Sequence, residues 1–107
     1  MEIPKPIQKQ VQKKGGIRAI ADLVEDKDIA HQSRVYHALS EPLRLKILNL
    51  LSIQPLCVCL IKEIVKTSDS KLSYHLNILK ESGLIEGKQQ GNWIIYYVTK
   101  LGRKYRI

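Results

Sequence analysis

The sequence predicts a mainly α-helical domain with a small β-hairpin near its C-terminal end. Apolar residues between positions 17 and 82 recur every three or four residues, which is the period of amphipathic helices. From Leu84 onward the period changes to two, which is typical of β-strands. The chain has 107 residues and a hydrophobic fraction of 44%, so one domain with a modest core is expected.

Three helices are predicted before position 55. The segments 17–24 and about 31–39 each place apolar residues on one helical face. A third helix begins after Ser40, and Pro42 stands in its first turn, where a missing N–H costs nothing. Pro55 prevents this helix from continuing.

Two further helices follow within a short distance of each other. The fourth is expected at about 57–66, again from the spacing of its apolar residues. The fifth is expected to begin with Ser68 as its N-cap and with Asp69 near the positive end of the helix. It runs to Ser82, and Gly83 supplies the stop.

A hairpin is predicted after the fifth helix. Residues 84–88 form its first strand, residues 89–92 its turn, and residues 93–99 a second strand rich in β-branched and aromatic residues. Residues 1–16, with two prolines, four lysines and a closing Gly-Gly, are expected to be a flexible basic arm. Residues 17–99 form the folded domain, and residues 100–107 a short basic tail.

The charge of the chain favours an anionic partner. Lysine and arginine total 18 against 10 acidic residues, giving a net charge of +8 and a pI near 9.6. Nucleic acid is the first candidate partner and an anionic membrane the second, while a role in solubility alone is the third reading. No secretory leader and no membrane-spanning run is visible, so a cytoplasmic protein without membrane contact is expected.

Two short helices joined by a tight turn and followed by a hairpin make a winged helix-turn-helix. On a wheel of about 100° per residue, Leu72, Leu76 and Leu79 form one narrow stripe, which predicts the buried side of the fifth helix. The opposite side is small or polar and could contact base edges and phosphates, although it could also be a plain solvated surface. The candidate DNA-contacting residues are Ser70, Lys71, Ser73, Tyr74, His75, Asn77 and Lys80 on this helix, and Lys88, Gln89 and Gln90 in the wing.

Several segments in order are similar to those of a known family. They are ALSEPLRLKILNLL (38–51), LCVC (56–59), SDSKLSYHLNILKESGLI (68–85) and GNWIIYYV (91–98). With these segments in this order, the chain resembles the ArsR/SmtB family of small dimeric repressors, which sense metals or metalloids. The resemblance implies a homodimer that binds a palindromic operator in double-stranded DNA and represses transcription.

The sequence departs from the family pattern at three places. Asp69 stands where many relatives have glutamine, and Leu60 replaces the acid that usually follows the second cysteine of the LCVC motif. The chain ends too soon for the usual C-terminal helix, so the usual zinc site is not expected. Dimerisation is then expected to depend on the apolar face of the first predicted helix, formed by Ile17, Ile20, Leu23 and Val24.

The resemblance also implies that Cys57 and Cys59 could bind As(III), Sb(III) or a soft divalent metal as thiolates. No cofactor is expected to be required. On an ideal helix two such positions point about 200° apart, so one ion could contact both only if the first turn unwinds. Two other readings stay open: a core Cys57 with an incidental Cys59, and a redox switch, for which an intramolecular disulfide at this spacing is expected to be strained.

Other function classes find less support. His31 and His37 are not spaced as metal ligands, so a histidine metal site is not expected. The sequence shows no nucleophile with a base, no glycine-rich phosphate loop and no carboxylate pair, so an enzyme is not expected. The alternative function is a winged-helix module that docks on a protein of the transcription machinery and has no effector site. A docking face of that kind should expose apolar anchors, whereas this one is polar.

Overall fold

The computed structural model describes residues 2–107, and the chain divides after Gln32 into two compact units. Helices and a small antiparallel sheet make up the fold, as predicted. No helix in the described residues is long and apolar enough to cross a membrane. The elements are α1 (Lys5–Lys13), α2 (Ile17–Asp22), α3 (Asp26–Leu39), α4 (Pro42–Ile53), β1 (Leu56–Cys57), α5 (Val58–Val65), α6 (Asp69–Glu81), β2 (Ile85–Gln90), β3 (Trp93–Val98) and α7 (Lys100–Arg103).

The first unit contains a helix, α1, that the sequence pattern does not predict. Residues 5–13, inside the segment expected to be a flexible arm, form α1, because Pro6 suits the first turn and the apolar side chains are four residues apart. Gly15 and Gly16 adopt φ values of 103° and 98°, which end the helix and turn the chain toward α2. A groove of about 400 Å³ between α1 and α2 is lined by Ile7, Val11, Ile20 and Leu23, with Gln10, Lys13 and Lys14 at its edge.

The second unit contains the hydrophobic core. Leu72, Leu76 and Leu79 are 1%, 3% and 0% exposed, so the predicted buried stripe of the fifth helix is confirmed. They pack with apolar side chains from α3, α4, α5, the sheet and the residue just before β2, namely Val35, Ala38, Ile47, Leu48, Leu51, Leu56, Ile61, Leu84, Ile85 and Tyr96. This packing fixes which side of α6 faces solvent.

The predicted start and end of α6 are confirmed by its capping contacts. The Ser68 side chain accepts a hydrogen bond from the Lys71 backbone N–H at 3.2 Å, which stabilises the first turn. Gly83 follows Ser82 with a φ of 78°, a conformation that glycine adopts without a steric penalty. Helix α6 therefore begins and ends where the local sequence indicates.

The sheet has one strand more than the predicted hairpin. Its order is β1-β3-β2, and both pairs are antiparallel. The wing strands β2 and β3 pair from Ile85 with Val98 out to Gln90 with Trp93, so β2 extends two residues beyond the predicted strand and the turn is shorter. Strand β1 has only two residues, and Cys57 pairs with Ile95 of β3.

Strand β1 corrects the predicted start of the fourth helix at residue 57. Cys57 has φ −73° and ψ 159°, which is extended backbone, and it is the N-cap of α5 rather than part of it. The helix ends at Val65 because Lys66 adopts the left-handed conformation with φ 51°. Pairing with β3, which lies far away in sequence, competes with the helical periodicity of this segment and prevails at Cys57.

A short helix, α7, closes the described chain after the hairpin. The Thr99 side chain caps it by accepting a hydrogen bond from the Gly102 N–H at 3.1 Å. Gly102 is buried, and a β-carbon at this position would overlap the Leu84 carbonyl oxygen. Glycine is therefore required here for the close approach of α7 to the segment that precedes β2.

Candidate nucleic-acid interface

The outer side of α6 is open to solvent along its length. All the helix residues expected to contact DNA are exposed except His75, which is half-buried. Tyr74 is the most prominent of the large side chains, at 60% exposure. The leucine stripe thus anchors α6 from behind and presents a polar surface at the front, as a helix that enters a DNA groove requires.

Some polar groups on this surface are already engaged within α6. The Ser70 hydroxyl lies 3.4 Å from the Ser68 hydroxyl. Asn77 donates a hydrogen bond to the Glu81 carboxylate at 3.1 Å, so base contacts by Asn77 would require that bond to be exchanged. Neither hydroxyl of Ser73 and Tyr74 takes part in a hydrogen bond among the described residues, so both are available to a ligand.

Asp69 forms an ion pair with a lysine, Lys62, that the sequence pattern does not connect to it. The Lys62 ammonium lies 2.7 Å from the Asp69 carboxylate and connects α5 to the first turn of α6. A carboxylate at this place would otherwise repel DNA phosphates. The pair therefore reduces the electrostatic cost of the aspartate that replaces the usual glutamine.

The wing carries a network of exposed polar side chains. Lys88 lies 5.0 Å from the centre of the Tyr97 ring and 3.8 Å from the Glu86 carboxylate. The Gln90 amide donates to the Tyr97 hydroxyl at 2.8 Å, and the Gln89 amide donates to the Gly91 carbonyl at 2.8 Å. These contacts restrain the side chains of the predicted wing residues, which belong to β2. Strand β2 in turn packs against α6.

His75 has a buried partner that sequence reasoning missed. Its Nδ1 atom lies 2.9 Å from Nη1 of Arg44, a side chain on α4 that is only 4% exposed. Burial lowers the pKa of His75, the Arg44 charge lowers it further, Glu41 opposes this effect, and Lys71 adds to the lowering. The lowered pKa means that this environment favours the neutral form of the His75 ring over the protonated form.

The cysteine pair lies outside this polar surface. Cys57 and Cys59 are joined by a disulfide bond, so the expectation that their side chains point about 200° apart is wrong. The reason is that Cys57 precedes α5 in extended conformation, whereas Cys59 belongs to its first turn. The Leu60 N–H donates a hydrogen bond to the Cys57 sulfur at 3.4 Å, which caps the N-terminus of α5.

A groove of about 450 Å³ lies beside the disulfide. It is lined by both cysteines and by Val58, Lys62, Asp69, Asn92, Trp93 and Ile94. The groove thus joins the first turn of α5 to the start of α6 and to the outer end of the wing. Within the described residues, no group of three or more His, Cys, Asp or Glu side chains could hold a metal ion.

The central part of the chain matches a known family. Residues 41–87 match the family described as bacterial regulatory protein, arsR family. An uncharacterized HTH-type transcriptional regulator of Methanocaldococcus jannaschii is 37% identical over 68 residues, which cover 63% of this chain and 76% of the relative. Residues 41–87, which match the family, include α4 to α6 and the start of the wing, and therefore the exposed surface of α6.

Two further relatives match this chain over a smaller share of their own length than the Methanocaldococcus protein does. A cadmium resistance transcriptional regulatory protein CadC homolog of Staphylococcus aureus is 36% identical, over 66% of this chain and 63% of its own length. The arsenical resistance operon repressor of Escherichia coli K12 is 39% identical, over 62% of this chain and 57% of its own. The chain thus spans less than two thirds of the length of both relatives.

Solved structures share the same fold. HlyU from Vibrio cholerae superposes with a TM-score of 0.66 at 26% identity, covering 76% of this chain and 98% of HlyU. A homodimeric winged helix-turn-helix DNA-binding domain from Mycobacterium bovis, solved by NMR, gives 0.66 at 28% identity, covering 74% of this chain and 76% of that domain. The predicted fold class, a winged helix-turn-helix, is confirmed by these similarities.

Proposed function

The chain belongs to the ArsR family of bacterial regulatory proteins, and on this premise we propose that it is a homodimeric repressor that binds a palindromic operator. The observation that carries the proposal is the exposed polar surface of α6, which the buried leucine stripe holds outward. In a dimer, two such helices related by a two-fold axis would enter successive major grooves about 34 Å apart. The relatives named as repressors support a repressing rather than an activating role.

Contacts to DNA are divided between the helix and the wing. Ser70, Ser73, Tyr74 and Asn77 are placed to meet base edges or adjacent phosphates, because they occupy the outward side of α6. Lys71 and Lys80 on the helix and Lys88 in the wing supply the positive charge that phosphates attract. Gln89 and Gln90 complete the set at the outer half of the wing.

The test is a binding titration of the full chain against its own promoter fragments and random DNA at several salt concentrations. We expect tighter binding to at least one promoter fragment and a logarithmic salt slope of about −0.9 for each phosphate contacted. Tyr74→Ala should weaken binding to that fragment about tenfold, while Lys88→Ala should weaken binding to every sequence and flatten the slope by about one. A slope near zero would instead favour a module that docks on another protein.

A dimer interface is supported by apolar side chains of the first unit. Ile17, Leu23 and Val24 are 70%, 75% and 61% exposed, and large apolar side chains grouped in this way are typical of contact surfaces. A homodimeric relative of the same fold supports a second copy of this chain as the occupant. We therefore propose that α2 and the residues after it contribute to the interface between the two copies.

The thiol state of Cys57 and Cys59 is the proposed effector input. Cys57 is paired with Ile95 of the wing, and the neighbouring Lys62 is bonded to Asp69 of α6. A change at the cysteines therefore reaches both DNA-contacting elements through direct contacts. Reduction of the disulfide by an external thiol, or binding of As(III), Sb(III) or a soft divalent metal by the two thiolates of the reduced pair, would alter DNA affinity, and couplings of this kind are about 1–3 kcal/mol.

The experiment compares DNA affinity of reduced protein, oxidised protein, and reduced protein with arsenite, antimonite or Cd²⁺. The Cys57→Ser/Cys59→Ser variant is the matched control. We expect affinity to differ between reduced and treated wild type by about fivefold or more and to be constant in the variant. Identical responses of wild type and variant to every treatment would leave Cys57 as a packing residue and Cys59 without a role.

A further inference from the structure

Arg44 is a buried cation that has no carboxylate partner among the described residues. Its Nε atom donates to the Ala38 carbonyl at 2.6 Å, and Nη2 donates to the His37 carbonyl at 3.3 Å. These carbonyls belong to the last turn of α3, which is the negative end of that helix. The guanidinium is thus held in one orientation, and its remaining nitrogen, Nη1, points at His75.

The chemistry of Arg44 determines which nitrogen of His75 carries the proton. A guanidinium has only donors and does not lose its proton in proteins. The contact of 2.9 Å between Nη1 of Arg44 and Nδ1 of His75 therefore requires Nδ1 to accept. A neutral ring that accepts at Nδ1 carries its hydrogen on Nε2, so this one contact fixes both the charge and the tautomer.

The position of His75 leaves its second ring nitrogen, Nε2, free to donate a hydrogen bond. The ring is half-buried, with Tyr74 beside it at a centroid distance of 5.3 Å and an interplanar angle of 66°. The two nitrogens lie on opposite sides of an imidazole ring, so Nε2 is directed away from the buried Arg44. No described residue forms a hydrogen bond with Nε2.

We propose that Arg44 is a positioning residue that holds His75 as a neutral donor, with its Nε2–H available to a phosphate oxygen of the DNA backbone. This inference rests on the proposed binding of DNA by α6. The charged groups near the ring are Arg44 on α4, Glu41 at the start of α4 and Lys71 on α6. Two of these three are cations, so a second proton on the ring would be disfavoured.

The proposal separates His75 from the lysines that are expected to contact phosphates. Lys71 and Lys80 carry charge, so each contact releases counterions and makes binding depend on salt. A neutral imidazole N–H donates a hydrogen bond to the phosphate but does not neutralise its charge. The loss of the His75 contact should therefore lower affinity at every salt concentration by the same factor.

The first experiment measures ¹⁵N chemical shifts of His75 by NMR in the free full-length chain at about pH 7. We expect the shifts of a neutral ring protonated on Nε2, and we expect Arg44→Lys to change the balance between the tautomers. The wild-type spectrum is decisive even if an Arg44 variant fails to fold. A ring protonated on Nδ1, or on both nitrogens, overturns the proposal.

The second experiment compares DNA binding of His75→Gln, His75→Phe and Lys71→Ala over a range of salt concentrations. Glutamine can accept from Arg44 and still donate outward, so His75→Gln should bind within about threefold of wild type, whereas His75→Phe should lose about tenfold. The salt slope should stay constant in both and should fall by about 0.9 in Lys71→Ala. A smaller slope in His75→Phe, or equal losses in the glutamine and phenylalanine variants, contradicts the proposal.

The two experiments distinguish this inference from the proposed function. A chain that binds promoter DNA but shows the wrong tautomer overturns only the role of Arg44 and His75. A chain with the expected tautomer that binds no DNA fragment overturns both the repressor function and the phosphate contact.

Discussion

The Lys62 ammonium lies 2.7 Å from the Asp69 carboxylate and ties α5 to the first turn of α6. The Lys62 side chain is 46% exposed and that of Asp69 is 81% exposed, so the pair contributes little to the stability of the fold. Its effect is expected on DNA binding, because Asp69 lies at the end of α6 that would approach the phosphates. Both residues of the pair also line the groove beside the disulfide, so the pair links that groove to α6.

The first prediction concerns the charge of Asp69. Lys62→Met leaves this carboxylate without its partner, and we expect DNA affinity to fall by about two- to fivefold because exposed charge pairs are worth up to about 1 kcal/mol. Fluorescence anisotropy with a labelled promoter fragment measures the change. The double variant Lys62→Met/Asp69→Asn should recover the lost affinity, and the absence of any recovery would mean that Lys62 contacts DNA itself.

The second prediction concerns stability at low pH. The pKa of His75 in the folded chain is lowered by burial and by Arg44, so the unfolded chain binds a proton there more readily. The stabilisation from neutral His75 is complete above its usual pKa of about 6.5 and is lost as the pH falls toward the lowered value.

Urea unfolding at about pH 7.5 and about pH 5.5 measures this loss. We expect wild type to lose stability between the two values and His75→Gln to lose less, since glutamine does not titrate. His31 and His37 are present in both proteins and cancel in the comparison. An equal loss in the two proteins would assign the pH dependence to other groups.

The sequence predicted the elements whose signals are local and missed those that depend on distant contacts. The leucine stripe of α6 and its Ser68 cap are both read within a few residues, and both are confirmed. Strand β1 has only two residues and exists because Cys57 pairs with Ile95, which is distant in sequence. No periodicity could indicate it, and the predicted geometry of the cysteines was wrong for the same reason.

The candidate site shows the same division. The outward surface of α6 follows from the helical period, so its exposed residues can be predicted from the sequence alone. The contact between Arg44 and His75 joins residues 31 positions apart, and the pair Lys62–Asp69 joins two helices. Helix α1 was missed for another reason, because the prolines at its start and the glycines after it are typical of a flexible segment.

The third prediction uses Trp93 as an internal reporter of the cysteines. This residue, the one tryptophan in the chain, lines the same groove as Cys57 and Cys59. A disulfide quenches nearby indole emission, so reduction should increase the fluorescence of Trp93. The change should be absent in Cys57→Ser/Cys59→Ser, and the same increase in that variant would show that the reductant acts elsewhere.

The fourth prediction concerns the packing of α7. A β-carbon at Gly102 would overlap the Leu84 carbonyl oxygen and would lie 2.7 Å from a methyl carbon of Val98. Gly102→Ala should therefore lower the free energy of unfolding by about 1–3 kcal/mol, which chemical denaturation measures. Arg103→Ala, at an exposed position of the same helix, is the control and should change it by less than about 0.5 kcal/mol.

The fifth prediction concerns the proposed dimer interface on the first unit. Ile17 and Val24 are exposed and do not line the groove between α1 and α2, so Ile17→Lys/Val24→Lys should leave the fold intact. Burying two ammonium groups at an interface is strongly unfavourable, so sedimentation equilibrium should show wild type as a dimer and the variant largely as a monomer. Ile53→Lys, at a position that is 79% exposed in the second unit, is the matched control and should remain dimeric. A variant at Ile17 and Val24 that dimerises as tightly as wild type would place the interface on another surface.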